Sequence, residues 1–286
     1  MSEKPPRVSI IIPSFDGYRG GLLPKLLEDL KKQTFSDYEV IVQKGYHRQG
    51  RAINDGVKKA RGEIVMTMDD DTVPGNRDLV ERIVAAVDSD PKIGLAGASC
   101  LPPRDASEFQ REASRQIPRR FFPVVKKTID SDMVQHPCLA ARKEVFLEVG
   151  GEDEELIRGL DPLLRHRMRK AGYRVVIVAG TWVSHPMPDS FPKVLKMYFR
   201  NGRGSAFARR HYPERIYELG SGFEGDDFAP KKSFASRVFR RVWSFARSVV
   251  DLEIYRTGTD IAYALGFLYE TVFVRSGPDP GKGHGV

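Results

Sequence analysis

The sequence predicts an α/β fold in which a mostly parallel sheet carries helices on both faces. Three short runs rich in β-branched residues, at residues 7–15, 38–44 and 63–68, alternate with segments whose apolar residues recur at helical spacing. This alternation places successive strands side by side in one sheet and covers the sheet with the intervening helices. With 286 residues, of which 41% are hydrophobic, the chain is long enough for one large domain or for a domain with an appendage.

Each strand in this first half is followed by a predicted helix. Leucines at positions 22, 23, 26, 27 and 30 predict the first helix, RAINDGVKKARG at residues 51–62 predicts the second, and apolar residues at 79, 83, 86 and 87 predict the third. Pro13 closes the first strand, and Asp69 directly follows the third. Gly62 stands where we expect the C-cap of the second helix.

The middle of the chain carries weaker signals. GLAGASCLPP at residues 94–103 predicts one more strand, and HPCLAARKEVFLEVGG at residues 136–151 predicts a strand-like piece followed by a short helix. Residues 103–123 are polar, basic and bounded by prolines, a composition that favours a mobile or substrate-facing loop. No internal repeat or low-complexity tract is evident.

A late helix and strand are predicted over residues 161–185. Pro162 lies in the first turn of this helix, Gly172 ends it, and the strand that follows leads to His185. Asp161 stands at the helix N-terminus, where the helix dipole favours an ionised carboxylate. An ordinary N-cap is the alternative explanation for an Asp at this position.

Composition narrows the classes of function. The chain has 46 Lys+Arg against 38 Asp+Glu, a net charge of +8, which suits an anionic partner such as nucleic acid, a membrane surface or a phosphorylated small molecule. Cys100 and Cys138 are the two cysteines, so neither a disulfide framework nor a cysteine zinc site is indicated. The N-terminal apolar run is too short for a signal peptide, and no run reaches membrane-spanning length. We therefore expect a cytoplasmic protein.

Three consecutive carboxylates follow the third strand, in VMTMDDDTVPG. Ligands of such folds bind beyond the carboxyl ends of the strands, where Asp16, Gln43 and Asp69–Asp71 all lie. The D-x-D spacing points Asp69 and Asp71 to the same side, and carboxylates with phosphate oxygens are typical ligands of Mg²⁺ or Mn²⁺. A solvated turn is the alternative explanation for such an Asp-rich segment.

Four segments in one order extend this hypothesis. They are VSIIIPSFD, RAINDGVKKARGEIVMTMDDDT, EVGGEDEE and DPLLRHRMRKAGYRV. This order resembles the inverting family-two glycosyltransferases of GT-A fold, and the resemblance covers residues 7–204. It implies a GT-A catalytic domain that moves a sugar from a nucleotide-linked donor to an acceptor hydroxyl by metal-dependent single displacement with inversion, and a divalent cation, Mn²⁺ or Mg²⁺, as cofactor.

The resemblance also implies roles for individual residues. Asp161 matches the catalytic base, and Asp71 and His185 match metal ligands. The remaining matches are donor-binding positions, namely Pro13, Ser14, Asp16, Arg51, Asn54, Asp69 and Asp70.

The chain departs from the family pattern at two places. Many members carry an acidic pair after the second strand that contacts the nucleotide base, whereas this chain reads VIVQKGYHRQG there. Asp16 is a candidate substitute, and the identity of the base stays open. The acidic residue that usually precedes the base is Leu160 here, which suggests different surroundings for Asp161.

Two other classes of function share some of these sequence features. A sugar-phosphate nucleotidyltransferase also combines an α/β sheet with metal-binding Asp, but PSFDGYRGGLLPK is a poor phosphate loop. A basic nucleic-acid-binding protein would use the aromatic and basic segment SRQIPRRFFPVVKK, yet three clustered acids repel a polyanion, so no nucleic-acid partner is expected.

The C-terminal third is predicted to be helical. We divide the chain into a catalytic domain (1–210), a helical region (211–275) and a flexible tail (276–286). The helical region mixes arginines with aromatic residues, a composition typical of helices that lie in a membrane interface. Packing on the catalytic domain and a dimer contact are the alternatives.

Members of the resembled family often glycosylate lipid-linked acceptors, so the resemblance implies a lipid-linked or polysaccharide acceptor. It also favours a protein that is peripheral on the cytoplasmic face of a membrane. Arg200, Arg203 and Arg209 are candidate contacts for a phosphate of the donor or of a lipid-linked acceptor.

Overall fold

The computed structural model describes residues 4–117, 121–216 and 234–274. Its strands are β1 (Val8–Ser14), β2 (Tyr38–Lys44), β3 (Ile64–Thr67), β4 (Val73–Pro74), β5 (Ile93–Leu101), β6 (Ile129–Asp130), β7 (Leu139–Arg142) and β8 (Arg174–Ser184). Its helices are α1 (Leu22–Lys31), α2 (Gln49–Lys59), α3 (Leu79–Ser89), α4 (Glu108–Gln116), α5 (Lys143–Glu148), α6 (Leu160–Lys170), α7 (Phe191–His211), α8 (Phe234–Val250) and α9 (Ile254–Val272).

The strands form one mixed sheet in the order β2-β1-β3-β7-β5-β8-β4, with β6 paired to β8. β1 runs parallel to β2 and β3, and β5 runs parallel to β8. The predicted mostly parallel sheet is therefore confirmed. The sequence did not predict that β7 runs antiparallel to both β3 and β5, with Leu139 opposite Thr67. This reversal brings the residues that precede β7 to the carboxyl end of β3.

The two faces of the sheet bury separate clusters. Side chains alternate along β1, so Ile10 packs with the cluster under α1 and α3 while Ile11 packs with the cluster under α2 and α6. Both isoleucines are fully buried, which stabilises the fold by about 1.5–3 kcal/mol for each side chain. Helices on both faces, as predicted, hold the sheet rigid beneath its carboxyl edge.

Gly62 does not cap α2. The helix ends at Lys59, and Ala60 at the C-cap position is already extended. A Cβ on Gly62 would lie 2.7 Å from the Val8 carbonyl carbon and the Ser9 nitrogen. The glycine is required because the chain passes close to β1 there. The prediction that Gly62 forms the C-cap of the second helix was wrong.

The loop predicted over residues 103–123 contains a helix instead. Ser107 begins α4 with a capping box, in which its hydroxyl accepts from the Gln110 backbone N–H and the Gln110 side chain accepts from the Ser107 N–H. Gln110 also donates to the Met187 carbonyl at 2.6 Å. Helix α4 is thereby fixed to the segment after β8, and the mobile-loop prediction is wrong for these residues. Residues 118–120 lie outside the described part.

Helix α9 packs closely along α7. A Cβ on Gly202 would lie 2.0 Å from the Tyr263 carbonyl oxygen, and one on Gly266 would lie 2.0 Å from the Phe199 carbonyl oxygen, so the two backbones touch at their glycines. Arg203 pairs with the buried carboxylate of Glu270 at 2.9 Å. Arg203 thereby binds the two helices together, and its phosphate contact stays a prediction.

The domain boundary at residue 210 stays a prediction, and the expected tail at 276–286 lies outside the described residues. Among the helices described, none is both long enough and apolar enough to traverse a bilayer.

Candidate active site

The acidic cluster lies in the connection between β3 and β4. Because β4 pairs antiparallel with β8, with Val73 opposite Ser184, the residues just beyond this pair meet at the same edge of the sheet. Asp71 and His185 are therefore brought together by the fold. The His185 backbone N–H donates to the Leu101 carbonyl at 3.1 Å, which fixes this segment beside β5.

Three side chains form a candidate cation site. The His185 Nε2 atom lies 3.1 Å from Asp71 Oδ1 and 3.6 Å from Asp69 Oδ2. One ligand atom from each residue falls within 4.8 Å of the others. Gln49 donates to Asp69 Oδ1 at 2.9 Å and so orients that carboxylate. Carboxylate oxygens with one imidazole nitrogen suit a divalent ion such as Mn²⁺.

Arg19 enters this cluster and was missed by the sequence analysis. Its Nη2 atom lies 2.8 Å from Asp71 Oδ2, and its Nε lies 3.4 Å from Asp70 Oδ1. The loop after β1 delivers it, with Arg19 in the left-handed region at φ 51°. Asp16 holds the loop, because its Oδ1 accepts from the Tyr18 and Arg19 backbone N–H groups at 2.8 Å each. The glycines of FDGYRGG were the signal for such a tight loop.

These contacts set the charges of the cluster. Burial disfavours ionisation of Asp71, but hydrogen bonds and charge from His185 and Arg19 outweigh burial and hold its pKa well below the usual range. Burial likewise opposes the charged form of His185, yet Asp69 and Asp71 raise its pKa to about 9. The pKa of Asp70 is raised, mainly by burial. The cluster is thus an anionic site balanced by two cationic side chains.

Asp161 lies in the first turn of α6, as predicted. Gly159, with φ 88°, occupies the N-cap position, so the alternative reading of Asp161 as an ordinary N-cap is wrong. The Asp161 Oδ1 atom accepts from the His136 backbone N–H at 2.9 Å and contacts His136 Nδ1 at 2.5 Å. About a third of the Asp161 side-chain surface is exposed.

His136 and Glu152 complete this second cluster, and sequence reasoning missed both. The His136 Nε2 atom lies 2.8 Å from Glu152 Oε1, and the two side chains are 4% and 1% exposed. Burial favours the neutral imidazole, but the charges of Asp161 and Glu152 raise the pKa of His136 well above its usual value. Burial similarly disfavours the charged form of Asp161, yet His136 keeps the pKa of Asp161 below its ordinary value.

The two clusters lie at one edge of the sheet. Thr72, next to Asp71, donates its hydroxyl to the Pro137 carbonyl at 3.1 Å. Pro137 follows His136, which binds Asp161. The reversed strand β7 creates this link, because its preceding residues reach the carboxyl end of β3. The sequence could place each acid at a strand or helix end, but it could not join them.

The predicted donor-binding residues surround this edge. Ser14 is buried, accepts from the Gly17 N–H at 3.2 Å and hydrogen-bonds Asp70. Pro13 lies beside it in β1, opposite Gln43 of β2.

The remaining two donor-binding candidates lie on α2. Arg51 pairs with Glu154 at 3.4 Å, and the Asn54 amide binds the backbone of Glu152. These contacts are all made within the chain, and the donor contacts stay predictions.

Residues 42–150 match the model of the family described as Glycosyl transferase family 2. Over this segment the predicted resemblance to family-two glycosyltransferases is confirmed. The matched segment contains the Asp69–Asp71 cluster together with His136. The chain is accordingly a glycosyltransferase, and the nucleotidyltransferase and nucleic-acid-binding alternatives are not favoured.

Two known proteins are similar over most of the chain. The O-antigen chain rhamnosyltransferase RfbN of Salmonella typhimurium is 22% identical over 227 residues, which are 68% of this chain and 71% of RfbN. The fold is similar to that of the mannosyltransferase PcManGT from Pyrobaculum calidifontis, solved in complex with GDP-Man and Mn²⁺. That match has a TM-score of 0.61 and 15% identity, and it covers 96% of this chain and 89% of PcManGT. The predicted GT-A fold is confirmed.

Proposed function

We propose that this glycosyltransferase moves a hexose or deoxyhexose from a nucleotide-linked donor to a hydroxyl of a growing polysaccharide, by single displacement with inversion. One observation carries the proposal. A cation-type cluster of Asp69, Asp71 and His185 lies at the same edge of the sheet as Asp161, joined to it through Thr72 and His136. The similarity to a rhamnosyltransferase of O-antigen chains supports a polysaccharide acceptor.

The chain's own residues divide the work between the two clusters. Asp69, Asp71 and His185 would hold a divalent cation, which neutralises the charge that develops on a leaving diphosphate. Asp161 accepts the proton of the acceptor hydroxyl as its O–H bond breaks. The acceptor oxygen then forms its bond to the anomeric carbon while the bond from that carbon to the diphosphate oxygen breaks. One displacement of this kind inverts the configuration.

The decisive experiment measures release of nucleoside diphosphate from a panel of nucleotide sugars, with Mn²⁺ or Mg²⁺ and an oligosaccharide acceptor. We expect one donor to be turned over only with the divalent cation, and the product to carry the inverted linkage by NMR. Asp71→Asn and Asp161→Asn should abolish most turnover. Asp189→Asn should not, because Asp189 is an exposed carboxylate that pairs with Lys193 and belongs to neither cluster. Cation-independent turnover or a retained configuration would contradict the proposal.

We further propose that α8 and α9 rest on an anionic membrane surface on the cytoplasmic side. Large apolar side chains are exposed along both helices, namely Phe239, Val242, Trp243, Val249 and Val250 on α8 and Ile261, Leu265, Leu268 and Val272 on α9. Arg247 is exposed among them, and the chain carries a net charge of +8. Exposed apolar residues beside cationic ones suit the headgroup region of anionic lipid. Cys100 and Cys138 are buried and not joined in a disulfide, which fits a reducing compartment.

Co-sedimentation with vesicles of phosphatidylglycerol and phosphatidylcholine tests this surface. Phe239 and Trp243 stack at 6.4 Å between ring centroids and are both mostly exposed. The double variant Phe239→Glu/Trp243→Glu should lose most vesicle binding while keeping its thermal midpoint. The double variant Lys31→Gln/Lys32→Gln at the C-terminal end of α1 lowers the net charge by the same amount and should bind normally. Equal loss in both would mean unspecific charge attraction, and a change of oligomeric state in the first would instead indicate a dimer contact.

A further inference from the structure

Asp161 is a partly buried carboxylate whose two oxygens have different surroundings. Both hydrogen bonds that Asp161 receives end on its Oδ1 atom, one from the His136 backbone N–H and one from His136 Nδ1. Among the described residues, none donates to Oδ2. Because a third of the side chain is open while Oδ1 is closed by two donors, Oδ2 is the oxygen that a substrate hydroxyl can reach.

We infer that His136 and Glu152 are positioning residues for the transfer reaction: they fix the orientation of Asp161 and keep it ionised, so that Oδ2 takes the acceptor proton. This inference rests on the proposed function. Glu152 accepts from the far side of the same imidazole, at 2.8 Å from Nε2. One ring is therefore held between two carboxylates, and neither His136 nor Glu152 is open to a substrate.

Charge explains why the pair is needed. A carboxylate partly removed from water picks up a proton more readily, and a protonated Asp161 is no base. His136 offsets this as an imidazolium, and Glu152 in turn keeps the buried imidazole charged. Arg165, one turn further along α6, adds a second positive charge near Asp161 and donates to the Val134 carbonyl. Leu160, just before Asp161, is buried and brings no further acid.

The backbone holds Glu152 in place. Asn54 of α2 accepts from the Glu152 N–H at 2.9 Å and donates to the Glu152 carbonyl at 3.0 Å. Gly151 adopts φ 60°, and a Cβ there would lie 2.8 Å from Asn54 Oδ1. The side chain of Glu152 therefore enters the interior from a rigid turn. An unbroken series of contacts runs from α2 through Glu152 and His136 to Asp161.

The test replaces the charged pair by a neutral one of similar shape. In His136→Asn/Glu152→Gln the Asn amide can still donate to Asp161 and the net charge of the pair is unchanged, but the imidazolium is lost. Asp161 should then protonate at higher pH. Because acid also removes the cation, the pH dependence of kcat/KM is measured together with Mn²⁺ affinity. In the wild-type chain both should fall together on acidification.

In the variant, the decline of kcat/KM on acidification should begin at a pH at least about one unit higher than the decline of Mn²⁺ affinity. Between these two pH values, the fraction of ionised Asp161 should be about tenfold lower than in the wild-type chain. KM for the donor should change little, and kcat/KM should rise towards a plateau at alkaline pH. The control Arg203→Gln/Glu270→Gln neutralises another ion pair with a buried carboxylate, between α7 and α9. It should lower the thermal midpoint without moving the pH profile.

A second measurement does not depend on the double variant folding. In Asp161→Asn, the pKa of the His136 ring, followed by its ¹⁵N resonances, should drop by at least about one unit because one counter-charge is gone. An unmoved pH profile or an unmoved His136 pKa would overturn this inference while leaving the glycosyl transfer intact. Absence of any cation-dependent transfer by the wild-type chain would instead overturn the proposed function, and this inference with it.

Discussion

The two acidic clusters at the sheet edge are built in opposite ways. The one formed by Asp69, Asp71 and His185 is balanced by Arg19, a half-exposed side chain delivered by a glycine-rich loop. The one formed around Asp161 is balanced by His136, which is buried and held from both sides. The first can exchange its counter-charge for a ligand, whereas the second cannot. The difference indicates a site with a replaceable half, in which a ligand can displace Arg19 from the Asp69–Asp71–His185 cluster. The permanent half is Asp161 with His136, whose counter-charge stays in place.

The largest expected effect breaks the permanent half. Asp161→Asn removes the proposed proton acceptor but leaves an amide of similar shape, so we expect kcat to fall about 10³-fold, within the range for loss of a general base. Mn²⁺ affinity, measured by electron paramagnetic resonance of the free ion, should stay within about twofold because Asp161 is not part of the cation cluster. A parallel loss of Mn²⁺ binding would mean that the two halves are not separate.

Asp71→Asn breaks the replaceable half. Asp71 contacts both His185 and Arg19, and its carboxylate supplies the cluster's buried oxygen ligand. We expect Mn²⁺ affinity to fall by more than about 100-fold, since even groups that only support a metal ligand contribute about 10–100-fold. Asp70→Asn is the matched control, because Asp70 lies outside the three-residue cluster. Equal losses in both variants would argue against a specific role for Asp71.

Arg19→Gln removes the positive charge that balances Asp71 in the replaceable half. Because Arg19 and a cation compete for Asp71, Mn²⁺ should bind about two- to fivefold more tightly, the range for an exposed ion pair. Titration of Mn²⁺ without donor measures this directly. Arg51→Gln, which removes an arginine paired with Glu154 instead, should leave the affinity unchanged. Weaker Mn²⁺ binding in Arg19→Gln would show that Arg19 supports the ion and does not compete with it.

The smallest expected effect is a difference in stability between alanine variants of two glycines, Gly20 and Gly151, which share a φ of 60°. Gly20→Ala, in the Arg19 loop, has no neighbouring atom within 4 Å of the new Cβ, so only backbone strain of about 1 kcal/mol is expected. Gly151→Ala meets Asn54 as well and should lower the free energy of unfolding by about 1 kcal/mol more, through loss of the Glu152 contact. Urea unfolding of both variants gives the difference. Equal destabilisation of the two variants would show that the turn at Gly151 is not held rigidly by Asn54.

Much of the scaffold could be predicted because its signals are local. The buried run of β1, the leucine spacing of α1 and the turn after Gly172 each depend on a few neighbouring residues. Asp161 and His185 could be placed at element ends for the same reason. Ser107 and Gln110 show that a legible capping box can still be overlooked in a polar, basic segment.

The contacts that Asp161 makes depend on the direction in which β7 runs through the sheet. The four residues of β7 carry no sequence signal for that direction. His136 matters only because β7 is reversed and starts at the carboxyl edge. Arg19 depends on a left-handed backbone, which the sequence pattern of an arginine does not suggest. Local sequence patterns therefore could not predict the roles of His136 and Arg19. His136 nevertheless begins a segment that was predicted to hold a strand, and Arg19 lies in a loop whose glycines were noted.

The hydrogen bond from Thr72 to Pro137 has a kinetic consequence. It ties the loop that carries Asp71 to the segment that carries His136, so we expect a rearrangement of the loop to shift the neighbourhood of Asp161. We expect donor loading to prepare the chain for its second substrate, which would make turnover ordered. Thr72→Val, which keeps the shape and removes the hydroxyl, should weaken that order in initial-rate and product-inhibition patterns.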